Sequence, residues 1–251
     1  MLLIPAIDLK DGRCVRLRQG RMGEGTVFSD DPVAVARRWR EAGAGRLHVV
    51  DLDGAVSGAP VHAEVVAGIV DAFGAPVQVG GGIRSVEAAA AYLSAGVRYV
   101  IVGTRAVNEP TFVTELCAEF PGRVIAGLDV RDGRLAVEGW SKLSAHSPLD
   151  LAQRFEQDGA EAVVFTDVSR DGMLSGVNAE ATAALAAELA IPVIAAGGVG
   201  GVEDIHRLGR VADSGILGVI AGRALYDGSL DIGEGLAAAA AYADVFAVPA
   251  P

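Results

Sequence analysis

Two aspartates in matched settings are the residues best placed to do chemistry. Ile7-Asp8-Leu9-Lys10-Asp11-Gly12-Arg13 resembles Leu128-Asp129-Val130-Arg131-Asp132-Gly133-Arg134, 121 residues later. Each leading aspartate closes a short apolar run, and a carboxyl held there can give or take a proton. The Asp-Gly of each motif reads as a hairpin turn. The leading aspartate could equally cap that Asp-x-x-Asp-Gly turn. If the two runs are opposed strands of one ring, Asp8 and Asp129 face each other across its mouth. A general acid and a general base working on either side of a small substrate need that arrangement.

The glycines form a second pair of constellations. Gly80-Gly81-Gly82 and Gly103-Thr104 follow two apolar runs, and Gly197-Gly198 and Gly222-Arg223 follow two more. Glycine lets a backbone approach a phosphate, and the start of a following helix offers free N–H groups. Gly81, Gly82, Gly103 and Thr104 would make one phosphate site, and Gly197, Gly198 and Gly222 the other. Arg84 and Arg223 would add charge. Two opposed sites imply a ligand with a phosphate at each end. The alternative is that the glycines only make tight turns.

Positioning these groups requires alternating strands and helices. Apolar runs rich in Val and Ile occur at Leu2–Ile7, Leu47–Val50, Val77–Val79, Tyr99–Val102, Val124–Leu128, Ala162–Phe165, Val193–Ala195 and Leu217–Ile220. Amphipathic stretches lie between most of them: Asp31–Gly43, Ser85–Gly96, Glu109–Phe120, Ser147–Gly159 and Asn178–Leu189. The first opens on Asp-Asp-Pro and closes on glycine, a helix start and stop. Continuous apolar strands separated by helices predict a parallel sheet buried on both faces. Eight of them predict a closed (β/α)₈ barrel, whose active site lies at the C-terminal ends of the strands. An open doubly wound sheet is the rival, but no G-x-G-x-x-G follows the first strand.

The halves read as copies. Asp51-Leu52 matches Asp167-Val168, and Pro76-Val77 with Gly81-Gly82-Ile83 matches Pro192-Val193 with Gly197-Gly198-Val199, both 116 residues on. Gly103-Thr104-Arg105-Ala106-Val107 matches Gly222-Arg223-Ala224-Leu225. We therefore expect a single barrel domain over 1–251, built from half-barrels of about 1–123 and 124–245, with a frayed tail at 246–251. Neither half alone would leave its sheet edges paired.

Other loops carry candidates. Thr166-Asp167-Val168-Ser169-Arg170-Asp171-Gly172-Met173 reads as a mobile active-site loop. Thr166 would point into the mouth, although Thr is also an ordinary strand residue. Trp140, after Glu138-Gly139, would stack on a flat ring or pack on the rim. In the flap Arg16–Gly25, Arg16, Arg18 or Arg21 would reach a phosphate, or stay in solvent. His48 lies on an apolar strand and reads as a core histidine. His48, His62, His146 and His206 show no ligand spacing, so no metal is expected. Cys14 and Cys117 form no C-x-x-C and read as reduced thiols.

Composition narrows the partners. The chain has 251 residues, 51% hydrophobic and 21% charged, with a net charge of −11. So acidic a surface argues against nucleic acid or an anionic membrane as partner. No run reaches the roughly 18 apolar residues of a membrane span, and the apolar N-terminus lacks a basic region and meets Asp8 at once. A cytoplasmic protein is expected. No Walker A or G-x-S-x-G motif is present, so cofactor-free acid/base work is expected.

Jointly, Ile4-Pro5-Ala6-Ile7-Asp8-Leu9, Asp11-Gly12-Arg13-Cys14-Val15-Arg16-Leu17, Val79-Gly80-Gly81-Gly82-Ile83-Arg84, Gly127-Leu128-Asp129-Val130, Gly139-Trp140 and Thr166-Asp167-Val168-Ser169-Arg170-Asp171-Gly172 resemble the phosphoribosyl isomerases of histidine biosynthesis. The resemblance runs from the first strand to about Leu225. It implies an Amadori rearrangement of an aminoaldose to an aminoketose in the phosphoribosyl-formimino derivative of aminoimidazole carboxamide ribotide. Asp8 then matches the general base at C2 and Asp129 the general acid at the ring oxygen. Thr166 and Asp171 match supporting positions, and Trp140 a residue stacked on substrate. The related cyclase, which pairs with a glutaminase, usually opens Cys-Leu-Asp where this chain has Ala6-Ile7-Asp8. A bifunctional isomerase that also acts on phosphoribosyl anthranilate typically has Ser in place of Gly80. A silent phosphate-binding barrel would not need both aspartates. A monomer is expected, since the resemblance to the paired cyclase is the weaker one.

Overall fold

A computed structural model describes residues 1–17, 25–137, 140 and 142–242. Arg18, Arg21, Glu138, Gly139 and the 246–251 tail lie outside the described residues. Eight parallel strands form a ring: β1 (Leu2–Lys10), β2 (Leu47–Asp51), β3 (Val77–Gly80), β4 (Tyr99–Val102), β5 (Val124–Arg131), β6 (Ala162–Asp167), β7 (Val193–Ala196) and β8 (Ile216–Ala221). Each pairs with the next, β8 pairs with β1, and the ring closes. All eight apolar runs in the sequence are strands of this barrel.

Alternation along each strand sorts side chains between two cores. Ile4, Ala6, Ile101, Ile125, Ala162, Val164, Ile194, Ala196 and Ile220 fill the lumen. Leu3, Ile7, Leu47, Val49, Val79, Leu128 and Phe165 face outward and pack against the helices. The main helices of the outer layer are α1 (Pro32–Glu41), α2 (Ala63–Phe73), α3 (Val86–Ser94), α4 (Thr111–Glu119), α5 (Pro148–Gln157), α6 (Ala179–Ala186), α7 (Val202–Gly209) and α8 (Ile232–Ala240). Asp31 caps α1 by accepting from the Ala34 N–H at 2.9 Å, with Pro32 opening the helix. The caps Ser85, Ser147 and Asn178 do the same for α3, α5 and α6. α2 and α7 begin at His62 and Gly201 without a side-chain cap. They lack a Ser, Thr, Asp or Asn cap in the sequence, and acidic residues in the first turn, Glu64 and Glu203 with Asp204, are their start signal.

The duplication is visible in the backbone. Beyond β1 the chain turns at Asp11-Gly12 (φ 51° and 74°), and beyond β5 it turns at Asp132-Gly133 (φ 50° and 76°). Each turn sends an antiparallel strand back, Arg13–Arg16 and Arg134–Val137. Both second aspartates of the duplicated motifs are thus turn residues. The first ones are left free for the mouth.

Candidate active site

Asp8 and Asp129 emerge at the C-terminal ends of β1 and β5, four strands apart in the ring. Both act electrostatically on Asp171, so the three carboxyls share one mouth. Their surroundings differ. Arg16, on the strand returning from the first hairpin, donates from Nη1 to Asp8 Oδ2 at 2.6 Å. A second guanidinium N–H donates to the Ala6 carbonyl. The Tyr226 ring lies 5.1 Å beneath the same guanidinium, and its hydroxyl donates to Ala6 O at 3.0 Å. Phe28 and Trp39 pack on that ring at 5.2 and 5.6 Å. Burial, the largest single effect, opposes the charge of Arg16, but Asp8, Tyr226 and Asp171 together outweigh it and raise the pKa of the guanidinium.

Asp129 has neutral partners. Loss of hydration pushes its pKa up, and hydrogen bonds from the Trp140 and Thr166 side chains pull it partly back. Thr166 lies directly beside Asp129 in the β5–β6 register. The corresponding neighbour of Asp8, on β2, is Val50. Trp140 adopts φ 69°, an uncommon conformation for a bulky residue. It aims the indole N–H at the carboxyl. The pKa of Asp171 rises to about 7, through burial first and then repulsion from Asp8; Arg16 opposes this and Asp129 adds to it.

The glycines build turns that only glycine fits. A Cβ on Gly81 (φ 102°) would stand 2.1 Å from the Asp51 carbonyl oxygen, and one on Gly197 (φ 88°) would stand 2.5 Å from that of Asp167. Gly82 and Gly198 are similarly closed in by backbone. Gly103 (φ −116°, ψ −100°) and Gly222 (φ −113°, ψ −97°) precede short helices at Thr104–Asn108 and Arg223–Asp227. The two ends are near-identical copies. Arg84 is drawn to the Ala55 carbonyl at 2.8 Å, and Arg223 to that of Gly172 at 2.7 Å. Each arginine latches a neighbouring loop beside its glycine site. Arg16 joins the second site, because a Cβ on Gly222 would meet its Cζ at 2.6 Å.

Sequence reasoning missed a knot that shapes the first half of the rim. Asp51, fully buried, accepts from the N–H groups of Gly54, Val61 and His62 and from the Tyr92 hydroxyl at 2.7–2.9 Å. Asp53 accepts from the Asp11 N–H at 2.7 Å and pairs with His62 Nε2 at 2.6 Å. These carboxyls fasten loop to loop. In the second half Asp167 accepts from Asn178 at 2.8 Å. A cavity of about 560 Å³, bordered by Phe165, Asp167, Arg170 and Asn178, opens there. Phe165 and Asp167 alternate with Thr166, so this cavity lies outside the ring and apart from the mouth.

The opposed carboxyls and the paired glycine turns lie at the C-terminal face of a closed (β/α)₈ barrel, the face at which enzymes of this fold class carry their active sites. The model of the family described as "Histidine biosynthesis protein" matches residues 2–231, and the chain belongs to that family. It is similar to a 1-(5-phosphoribosyl)-5-((5-phosphoribosylamino)methylideneamino)imidazole-4-carboxamide isomerase from Thioalkalivibrio sulfidiphilus, 60% identical over 235 residues, 93% of this chain and 97% of that protein. Proteins of the same name from Marinobacter nauticus (58% over 245 residues, 97% and 98% of the two chains) and Methylococcus capsulatus (60% over 237 residues, 94% and 98%) are similar to it too.

Proposed function

We propose that this chain is an aldose–ketose isomerase acting on the bisphosphorylated imidazole carboxamide aminoaldose named in its relatives, in histidine biosynthesis. The observation that carries the reading is the pair Asp8 and Asp129 in one mouth with unlike partners. Asp129, whose pKa is raised by lost hydration, is suited to hold a proton. It would deliver that proton to the ring oxygen, breaking the C1–O bond and leaving a C1 Schiff base. Asp8 would take the C2 proton, and the C–H electron pair would form C1=C2 while the C=N π pair returns to nitrogen. The resulting enolamine becomes the aminoketose as C1 gains a proton and the enol hydroxyl loses one.

Gly81, Gly82, Gly103 and Thr104 would hold one phosphate, and Gly197, Gly198 and Gly222 the other. Backbone N–H groups suit an anion on a protein of net charge −11. Arg84, Arg223 and Arg16 would add charge. Trp140 would trade its bond to Asp129 for stacking on the heteroaromatic ring, and Asp171 would contact substrate from the neighbouring loop, after β6. The chain would act as a monomer in the cytoplasm. No helix among the described residues is long and apolar enough to cross a membrane.

Turnover of the aminoaldose by the purified chain, beside phosphoribosyl anthranilate as second substrate, tests this reading. The expected result is turnover of the first alone. Turnover of both would make the enzyme bifunctional despite Gly80.

A further inference from the structure

One seam of the outer layer is closed in the first half of the chain and open in the second. α1 and α5 begin at Pro32 and Pro148, and α2 and α6 at Ala63 and Ala179, each pair 116 residues apart. α1 and α2 pack against each other, whereas α5 and α6 hardly touch. A Cβ on Gly68 of α2 would meet Val33 of α1 at 3.2 Å, so glycine helps these helices close. Their copies, Ala184 and Leu149, stand instead on the walls of the cavity of about 560 Å³. The fold can therefore shut this seam. The second half leaves it open at the size of a small-molecule site, roughly 300–1,000 Å³.

The open seam backs the Asp129 side of the mouth. Val130, on its wall, follows Asp129, and Phe165 and Asp167 flank Thr166. Ser169 and Arg170, also on the wall, lead directly to Asp171. Successive strand residues face opposite sides of a sheet. Whatever fills the cavity thus presses on the reverse face of the two strands that carry Asp129 and Thr166. It also touches the loop that carries Asp171.

The lining specifies a ligand. Phe165, Leu149 and Leu185 make an apolar floor, and Asp132, Asp167 and Arg170 are the charges on the rim. Arg170 is engaged by Asp167 at 3.3 Å and by the Gly176 carbonyl at 3.1 Å. Asp132 is left exposed, with no ion-pair partner among the described residues. We propose that this cavity binds a small organic cation, an amine on an aromatic body, and that its occupancy alters turnover at the mouth. The ring packs against Phe165, and the ammonium stands beside Asp132. A protein of net charge −11 favours such a ligand on approach. Binding is independent of the isomerase reading; the effect on turnover rests on it.

The test uses phenethylamine as probe, with phenylpropionate as its anionic counterpart. In methyl NMR the amine should shift the signals of Val130, Leu149 and Leu185 with a Kd of about 1 mM or tighter. The anion should bind about fivefold more weakly or worse. Asp132→Asn, which suits the turn at φ 50°, should weaken the amine by about threefold or more. Ala181→Phe, which fills the cavity, should abolish the shifts. Saturating amine should change the wild-type kcat/KM for the aminoaldose by about fivefold, the low end of coupling between sites. It should have no effect on Ala181→Phe. No methyl shifts at amine concentrations up to about 10 mM, or equal affinity for the anion, overturns the site. Shifts without a change in kcat/KM overturn the effect on turnover. An effect that persists in Ala181→Phe places the amine in the mouth and overturns it too. A wild-type chain that leaves the aminoaldose unchanged contradicts the isomerase reading and the effect on turnover, while the methyl shifts still decide the cavity.

Discussion

Arg16 donates to Asp8 across 2.6 Å, and this single contact breaks the symmetry of a duplicated site. Asp129, the copy of Asp8, has an indole and a hydroxyl as partners instead. One carboxyl faces a cation and the other faces neutral donors. Separating two carboxyls in this way gives one site both an acid and a base. The same guanidinium rests against Gly222, so Arg16 ties the proposed base to a proposed phosphate site. Arg16→Met should reduce kcat/KM by about a hundredfold, or about 2.7 kcal/mol of transition-state stabilisation. Wild-type kcat/KM in this variant would make Arg16 a bystander.

Thr166 offers a test of the acid. Its hydrogen bond lowers the pKa of Asp129 against the larger effect of lost hydration. Thr166→Val copies the residue found beside Asp8, Val50, and removes that bond without changing shape much. The pKa of Asp129 should rise further, so its acid form should persist to higher pH. The alkaline limb of the kcat profile should move up by about one unit, the scale of one hydrogen bond to a charged group. An unmoved limb would remove Asp129 from the proton transfer that limits kcat.

Asp171 links the mouth to stability. Its pKa rises in the fold from 3.8 to about 7. Between those values the folded chain keeps a proton that the unfolded chain releases. Stability from this group is complete below about pH 4 and is lost as pH rises through 7. Asp171→Asn should therefore melt higher than wild type at pH 8, by about 2 °C or more, and the gain should disappear at acid pH. Equal melting temperatures across the range would contradict the burial argument.

Gly81 separates architecture from ligand binding. An alanine there would place its Cβ 2.1 Å from the Asp51 carbonyl oxygen, at φ 102°. Backbone has to move to admit it. Gly81→Ala should lower stability by about 3 kcal/mol or more, in the range of severe single-site strain. Denaturant unfolding would show this. A stable Gly81→Ala protein with weakened affinity for inorganic phosphate would instead give this glycine a purely ligand-facing role.

Much of this was legible in the sequence because duplication repeats its signals. Asp8 and Asp129 could be singled out because each ends an apolar run and each is followed by an Asp-Gly turn. Thr166 stood out at the start of a polar loop, and Asp171 within that loop only through the family resemblance. The partners that distinguish the two carboxyls were not legible. Arg16 reaches Asp8 only because an antiparallel strand folds back at Asp11-Gly12, and Tyr226 reaches Arg16 across the closure of the ring. His48 bonds Gln78, thirty residues on, across adjacent strands, with nothing local to join them. Asp51 read only as one half of a repeat, because three of its four donors, Val61, His62 and Tyr92, stand ten or more residues away in the sequence. The glycines were read mainly through phosphate, while their neighbours show a backbone requirement that residue type alone does not reveal.

The most direct test of the central claim is single-enzyme turnover of the bisphosphorylated aminoaldose, without added metal or cofactor, by the wild-type chain and by Asp8→Asn and Asp129→Asn. The account predicts conversion to the aminoketose by the wild-type chain and a loss of about 10³-fold or more in each variant, as expected when a proton-transfer group is removed. Conversion by either variant at the wild-type rate, or none by the wild-type chain, would contradict it.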